Sequence, residues 1–225
     1  MTGWERFVES FFNARVAAEY WPKIVDGLWL TVALALCVIV AGVLARLALA
    51  VLRAMGLRVL NWAIVFAVDV FRAVPPLVII VLLFFGLPAA GMELSGFASA
   101  WLALSLVLMA FAEEIFWGGI TTLPKGQWEA SRALGLRFLP TFFLVVLPQA
   151  VRLVIPPLVN RTIAITKGTA LASVVAVPEI LGAAQAGVSF SFNPTPLTLG
   201  ALAYLLLFLP VVVLGRWVER RWHVR

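Results

Sequence analysis

Asp69, Arg72, Glu113 and Glu114 are ionisable residues set inside stretches that are otherwise almost wholly apolar. At membrane depth such a group costs on the order of 2.5–3.5 kcal/mol unless it is paired or hydrated. Asp69 and Arg72 are three residues apart, share a helix face and can neutralise each other. Arg72 also lies just ahead of Pro75-Pro76. It therefore has two open readings: a salt bridge that pins a kink, or a cation that draws a ligand carboxylate into a central cavity. Glu113 and Glu114 are neighbours, so on a helix they point about 100° apart. One is then free to meet an arginine while the other faces a cavity or a partner subunit. A buried carboxylate pair also fits proton coupling. Covalent chemistry fits poorly, because the single His223 and the single Cys37 are far apart and make neither a catalytic set nor a metal site. The chain has no Gly-rich phosphate loop ending in Lys-Ser/Thr, so any nucleotide hydrolysis falls to a partner.

The elements that carry these residues are membrane spans. Of the 225 residues 63% are hydrophobic and only 12% charged, and the mean hydropathy is +1.05, against about 25% charge in a soluble domain. A soluble core of this size cannot hide so much apolar surface. Spans are expected at Ile24–Leu52, Leu57–Leu87, Leu94–Leu123, Phe142–Ile165 and Leu197–Val218, each long enough for a hydrocarbon core of about 30 Å. Pro75-Pro76 should break the second near its middle, and Pro148, Pro156 and Pro157 should bend the fourth. Cys37 lies within the first. The first long apolar run starts only after Lys23, which argues against a cleavable signal peptide.

Basic residues set the orientation. Arg46, Arg53 and Arg58 follow the first span, Lys125, Arg132 and Arg137 follow the third, and Arg216, Arg220, Arg221 and Arg225 end the chain. The loops 88–93 and 189–196 contain neither Lys nor Arg. Five crossings with the N-terminus outside and the C-terminus inside gather those ten residues on the cytoplasmic side. The same bias accounts for the net charge of +6 without nucleic acid. Leu171–Val188, broken by Pro178-Glu179, is then a re-entrant or partly embedded helix. In residues 1–23, Trp4, Phe7, Val8, Phe11 and Phe12 recur at helical spacing among charged residues. That segment either lies in the headgroup plane or packs on the protein's own spans. The whole chain, 1–225, reads as one transmembrane domain.

Lys125–Leu136 (KGQWEASRALGL) is a polar interruption between spans, and 125–139 forms a loop that belongs outside the bilayer. Gln127–Leu134 is expected to form about two helical turns, stopped at Gly135. Glu129-Ala130-Ser131, three residues, Gly135, nine residues and Val145-Val146-Leu147-Pro148 resemble the EAA loop of ABC-transporter permeases. Leu147-Pro148-Gln149-Ala150, Pro156-Pro157-Leu158, Leu171-Ala172-Ser173-Val174 and Val177-Pro178-Glu179 resemble further segments of the polar amino acid permeases, the histidine, glutamine and arginine uptake type. The similarity runs from about Gly27 to Arg221.

The resemblance implies an all-α type I importer fold with a cytoplasmic coupling helix in the bacterial inner membrane, surrounded by lipid. It implies two ATP-binding subunits, which bind the ATP and Mg, a second permease chain, an extracytoplasmic solute-binding protein and a polar amino acid as substrate. No cofactor is expected in this chain. Lys125, Gly126, Trp128, Glu129, Ala130, Leu134 and Gly135 would dock the ATPase, with Trp128 and Leu134 inserted into its cleft. Arg72, Glu113, Glu114, Thr169 and Ser173 would border the substrate path. Phe71-Arg72-Ala73-Val74-Pro75 resembles the family's Phe-Arg-Gly-Thr-Pro, with Val74 in place of threonine. Lys167-Gly168-Thr169 replaces Lys-Asp/Asn-Thr/Ser, and Val107-Leu108-Met109 stands where relatives often carry Asn, Ser and Gly. These apolar replacements favour a heterodimer, in which a different permease chain supplies most substrate contacts, over a homodimer. An ion-coupled secondary transporter is the alternative, but matching pseudo-repeats in two halves are not visible.

Overall fold

The computed structural model describes residues 2–54 and 57–222; His223 and Arg225 lie outside the described residues. These residues are all-helical apart from short connections. A short α1 (Gly3–Phe11) precedes α2 (Ala14–Ala54), which is 41 residues long. At 1.5 Å per residue α2 extends about 60 Å, twice the hydrocarbon thickness. The first span therefore continues well beyond the expected Ile24–Leu52 at its N-terminal side. Its residues Leu36, Val40 and Leu44 are more than half exposed and form an apolar row on one face.

The second expected span is not one bent rod. α3 (Arg58–Ala73) meets the stretch Pro76–Ala90, which opens with α4 (Pro76–Val81), at 101°. Val74 is extended because a following proline excludes the α conformation, and Pro75 offers no N–H to continue the ladder. α4 runs on through a π turn at Leu82–Gly86 and a 3₁₀ turn at Leu87–Ala90, which Gly91 ends at φ +77°.

α5 (Gly96–Thr122) is the axis of the molecule. Ala100, Ala103, Leu104, Val107, Leu108, Ala110 and Ala112 are buried against α2, α3, α4 and α8 (Leu147–Lys167). Lipid tails are as apolar as leucine, so burial alone does not hold these helices together; close approach does. Gly42 admits the Leu108 side chain, which a Cβ there would meet at 2.9 Å. Gly119 receives Val154, and Gly215 receives Ile163.

After α5 come α6 (Lys125–Ala133) and α7 (Phe138–Thr141), and a π turn at Phe142–Val146 leads directly into α8. Pro148 has no N–H to give the turn before it, and the Gln149 side chain donates to the Val145 carbonyl at 2.8 Å. The fourth apolar segment thus starts at Phe138, four residues before the expected Phe142. Next, a 3₁₀ stretch (Gly168–Val175), a break at 176–179 and α9 (Ile180–Ser191) form a hairpin. α10 (Thr195–Trp222) closes the fold against α2, α8 and α9. Among the described residues four helical stretches are long and apolar enough to cross a membrane, or five if the bent pair Arg58–Ala73 and Pro76–Ala90 is one span.

Candidate functional site

The sequence singled out the polar loop, and α6 fills it. It begins two residues earlier than expected, after Pro124. The amides of Gly135 and Leu136 donate to the carbonyls of Arg132 (2.9 Å) and Ser131 (3.2 Å), and Gly135 stands at φ +81°. This stop leaves Leu134 83% exposed at the tip. Lys125, Gly126, Glu129 and Ala130 are exposed along the helix. Ser131 is buried, and its hydroxyl donates to the Gln127 carbonyl at 2.7 Å. A small residue is therefore required there by packing. Trp128, expected to insert into a partner's cleft, is half-buried and has contacts within its own chain. Its ring stacks on Phe138 at 5.5 Å and 21°, with Phe142 at 6.4 Å. The stack ties α6 to α7 and the π turn, because an amphipathic helix this short needs an apolar anchor in its own chain.

A second polar region runs down the last turns of α5. Glu113 accepts from Arg53, whose guanidinium lies over the Trp117 ring at 3.8 Å. Glu114 Oε1 accepts from Arg72 Nη2 at 2.6 Å, and Arg72 Nη1 reaches Asp69 Oδ1 at 3.4 Å. Both glutamates thus face arginines, one on α2 and one on α3. The 100° between neighbours is what sends them to different helices.

The cavity beside this cluster was not foreseen in full. Arg72, Ala73, Val74, Pro75 and Pro76 line one wall of a space of about 410 Å³, and Val107, Phe111, Arg161, Ala164 and Ile165 line the rest. Arg161 of α8 stacks on Phe111 at 3.1 Å, and Arg72 sits 5.6 Å from the same ring. The Nε atoms of both arginines are buried without a hydrogen-bond partner. Two guanidinium groups with donors unspent, set against an aromatic face at a break in the backbone, suit a small anionic group such as a carboxylate. Thr169 and Ser173 are not brought to this cavity. They sit on the 3₁₀ stretch, Thr169 fully buried, and their hydroxyls donate to the carbonyls of Thr166 and Ala170 at 2.8 Å.

A third polar cluster went unassigned in the sequence. Glu179, fully buried, caps α9 by accepting from the Gly182 amide at 2.8 Å, and it also accepts from the Tyr204 hydroxyl of α10. Thr31 of α2 accepts from the Ile180 amide at 3.2 Å and donates to the Gly27 carbonyl at 2.9 Å. Gly27 lets the two backbones touch: a Cβ there would meet the Glu179 carbonyl carbon at 2.9 Å. The signal available was a carboxylate placed just before an Ala/Gly-rich apolar run, the pattern of a helix N-cap.

Residues 47–224 match the family model described as binding-protein-dependent transport system inner membrane component. The chain is 32% identical over 216 residues to the probable amino-acid ABC transporter permease protein YckA of Bacillus subtilis (strain 168), covering 95% of each. It is 38% identical over 170 residues to the L-cystine transport system permease protein TcyB of the same organism, covering 76% of this chain and 73% of that one. Among solved structures, a chain of an amino acid ABC transporter determined with histidines superimposes at a TM-score of 0.84. It shares 28% identity and covers 91% of this chain and 96% of its own. A chain of the MetNI methionine ABC transporter, at 20% identity and a TM-score of 0.67, shares the fold. The chain therefore belongs to the family of binding-protein-dependent transport system inner membrane components: it is a multi-pass permease subunit of an ABC importer, and ATP hydrolysis is carried by separate subunits.

Proposed function

We propose that this permease chain carries a polar amino acid inward and that the Arg72–Arg161 cavity receives the substrate carboxylate. The cavity carries this reading: two arginines with unbonded Nε atoms converge on one space, where an anion would complete both. Its relatives include arginine and cystine transport permeases, which supports the substrate class. Arg72 remains partly held by Glu114 and Asp69, so Arg161 is the freer of the two.

In this reading α3 and α4 together make one broken crossing, giving five spans with the N-terminus outside and the C-terminus inside. α6 is then the cytoplasmic coupling helix, offering exposed Glu129 and Leu134 to an ATPase. The cavity's remaining walls, Val74, Val107 and Ile165, are apolar. No free carboxylate among the lining residues waits for the substrate's ammonium. A second, different permease chain supplies that acceptor, and an extracytoplasmic binding protein delivers the solute.

The test is ATP-driven uptake in proteoliposomes holding the complete transporter. Arg161→Gln should cut uptake of the amino acid by about thirtyfold, from the loss of a charged hydrogen bond worth about 2 kcal/mol. The decarboxylated amine should be a poor substrate of the unaltered transporter. Uptake that ignores both changes overturns the carboxylate site. Full transport by a complex containing only this permease chain overturns the heterodimer.

A further inference from the structure

The side of α2 near its N-terminal end carries a second open space, of about 660 Å³, that the transport reading leaves unused. Lys23, Asp26, Trp29, Leu30 and Ala33 form one wall, and Pro178 and Ala183 of the hairpin form the other. Lys23, Asp26, Leu30 and Ala33 follow the i, i+3, i+7, i+10 spacing of a single helix stripe. The groove is therefore charged at one end and apolar at the other, over a length of about 15 Å.

The level of the charged end follows from Tyr20. Its ring packs beside Gly187 and Pro196, at the turn joining α9 to α10, where the chain leaves the apolar layer. Lys23 and Asp26 lie three and six residues further along α2, about 5 and 9 Å inward. That is headgroup and glycerol depth. Trp21 and Trp29 flank the pair, and Trp29 is 68% exposed, as in the aromatic belts that mark a membrane boundary. Lys23 and Asp26 do not pair with each other; among the described residues Lys23 lies 4.8 Å from the Tyr20 ring and makes no ion pair or hydrogen bond, and neither does Asp26.

We infer that this groove is a binding site for a phospholipid whose headgroup carries both a phosphate and a primary ammonium, such as phosphatidylethanolamine. The phosphate meets Lys23, the ammonium meets Asp26, and an acyl chain lies along Trp29, Leu30 and Ala33. Charge complementarity selects this occupant. A purely anionic lipid satisfies Lys23 and is repelled by Asp26, and a free solute has no use for the apolar half. Because Pro178 and Ala183 form the far wall, the bound lipid touches the segment that Glu179 fastens to α2 and α10.

The experiment uses the complete transporter in detergent, delipidated and then supplied with phosphatidylethanolamine or phosphatidylglycerol. Lipids retained per complex are counted by native mass spectrometry. Phosphatidylethanolamine should be kept about fivefold better than phosphatidylglycerol, the equivalent of about 1 kcal/mol for one charge at the membrane surface. Asp26→Asn should abolish that preference while leaving the melting temperature unchanged. Lys23→Gln should reduce retention of both lipids. A phosphatidylethanolamine with a photoreactive acyl chain should label the stretch between Trp29 and Ala33. An undiminished preference in the Lys23→Gln/Asp26→Asn double variant, or labels found only elsewhere, overturns the assignment. Displacement of the lipid by free amino acid also overturns it and gives the groove to the solute path.

Discussion

The backbone is interrupted twice at membrane depth, at Val74–Pro75 and at 176–179, and the two interruptions are finished in opposite ways. Around Glu179 the polar atoms are paired across three helices, with the Gly182 amide, the Tyr204 hydroxyl and the Thr31 hydroxyl all engaged. Around Arg72 and Arg161 donors are left over, and they border a cavity. In lipid no water repairs an unmade bond, so a fully paired break is a rigid joint. A break that keeps spare donors beside empty space is a place for a ligand. Irregular backbone is needed for both, and pairing is what separates them.

The strongest way to break this contrast is at the joint. Glu179→Ala strips the partner from the Tyr204 hydroxyl and the Gly182 amide in a buried setting. It should cost roughly 3 kcal/mol of stability, read as a lowered melting temperature and yield of the purified complex. An unchanged melting temperature would remove the distinction between the two regions. Arg161→Gln should do the reverse, leaving the melting temperature in place while uptake falls as given above. If it unfolds the protein instead, the arginine belongs to the scaffold.

A middle-sized effect is expected at α6. Gly135→Val forces a branched residue to φ +81°, a strain of about 1–2 kcal/mol that displaces Leu134 and the end of the helix. Capture of the ATPase should weaken by up to about tenfold, while amino acid binding by the assembled complex stays the same. Glu129→Lys should likewise lower ATPase pull-down without altering membrane insertion. The smallest change is at Asp69, whose side chain is 62% exposed and sits 3.4 Å from Arg72. Asp69→Asn should alter stability by less than about 1 kcal/mol and uptake by less than about fivefold, sharpening the assignment of Glu114 as the main holder of Arg72.

What the sequence disclosed follows the range over which its signals act. Pro75-Pro76, the single Pro178 and hydropathy located the two interruptions, and Gly135 located the stop of α6, because each effect works within a few residues. Asp69 and Arg72 were legible for the same reason. Arg161 was not, although it also lies in an apolar span; its cavity is built by Phe111 and the 72–76 segment, far away in the chain. Glu113 shows the same limit. Its partner Arg53 is 60 residues away, so adjacency to Glu114 correctly implied diverging directions but not that both would end on arginines. The Trp128 stack on Phe138 was not legible either, because spacing shows which side chains share a face and says nothing about a stacking partner beyond the helix end. The break at Pro75-Pro76 was expected; its 101° angle was not legible, since it depends on how the two helical pieces pack after an extended valine and two prolines disconnect them.

One consequence concerns how the chain is made. α2 is the first long rod to leave the ribosome, yet two of the three elements it packs against most, α9 and α10, are the last. Until the C-terminal third has been synthesised, Gly27 and Thr31 lack the Glu179–Ile180 backbone that they pack and bond against. A transcript cut short before Tyr204 would therefore yield an inserted fragment with an unfinished seam, visible to membrane proteases. Dependence on a late-arriving partner makes the final helix a checkpoint on the integrity of the whole polypeptide.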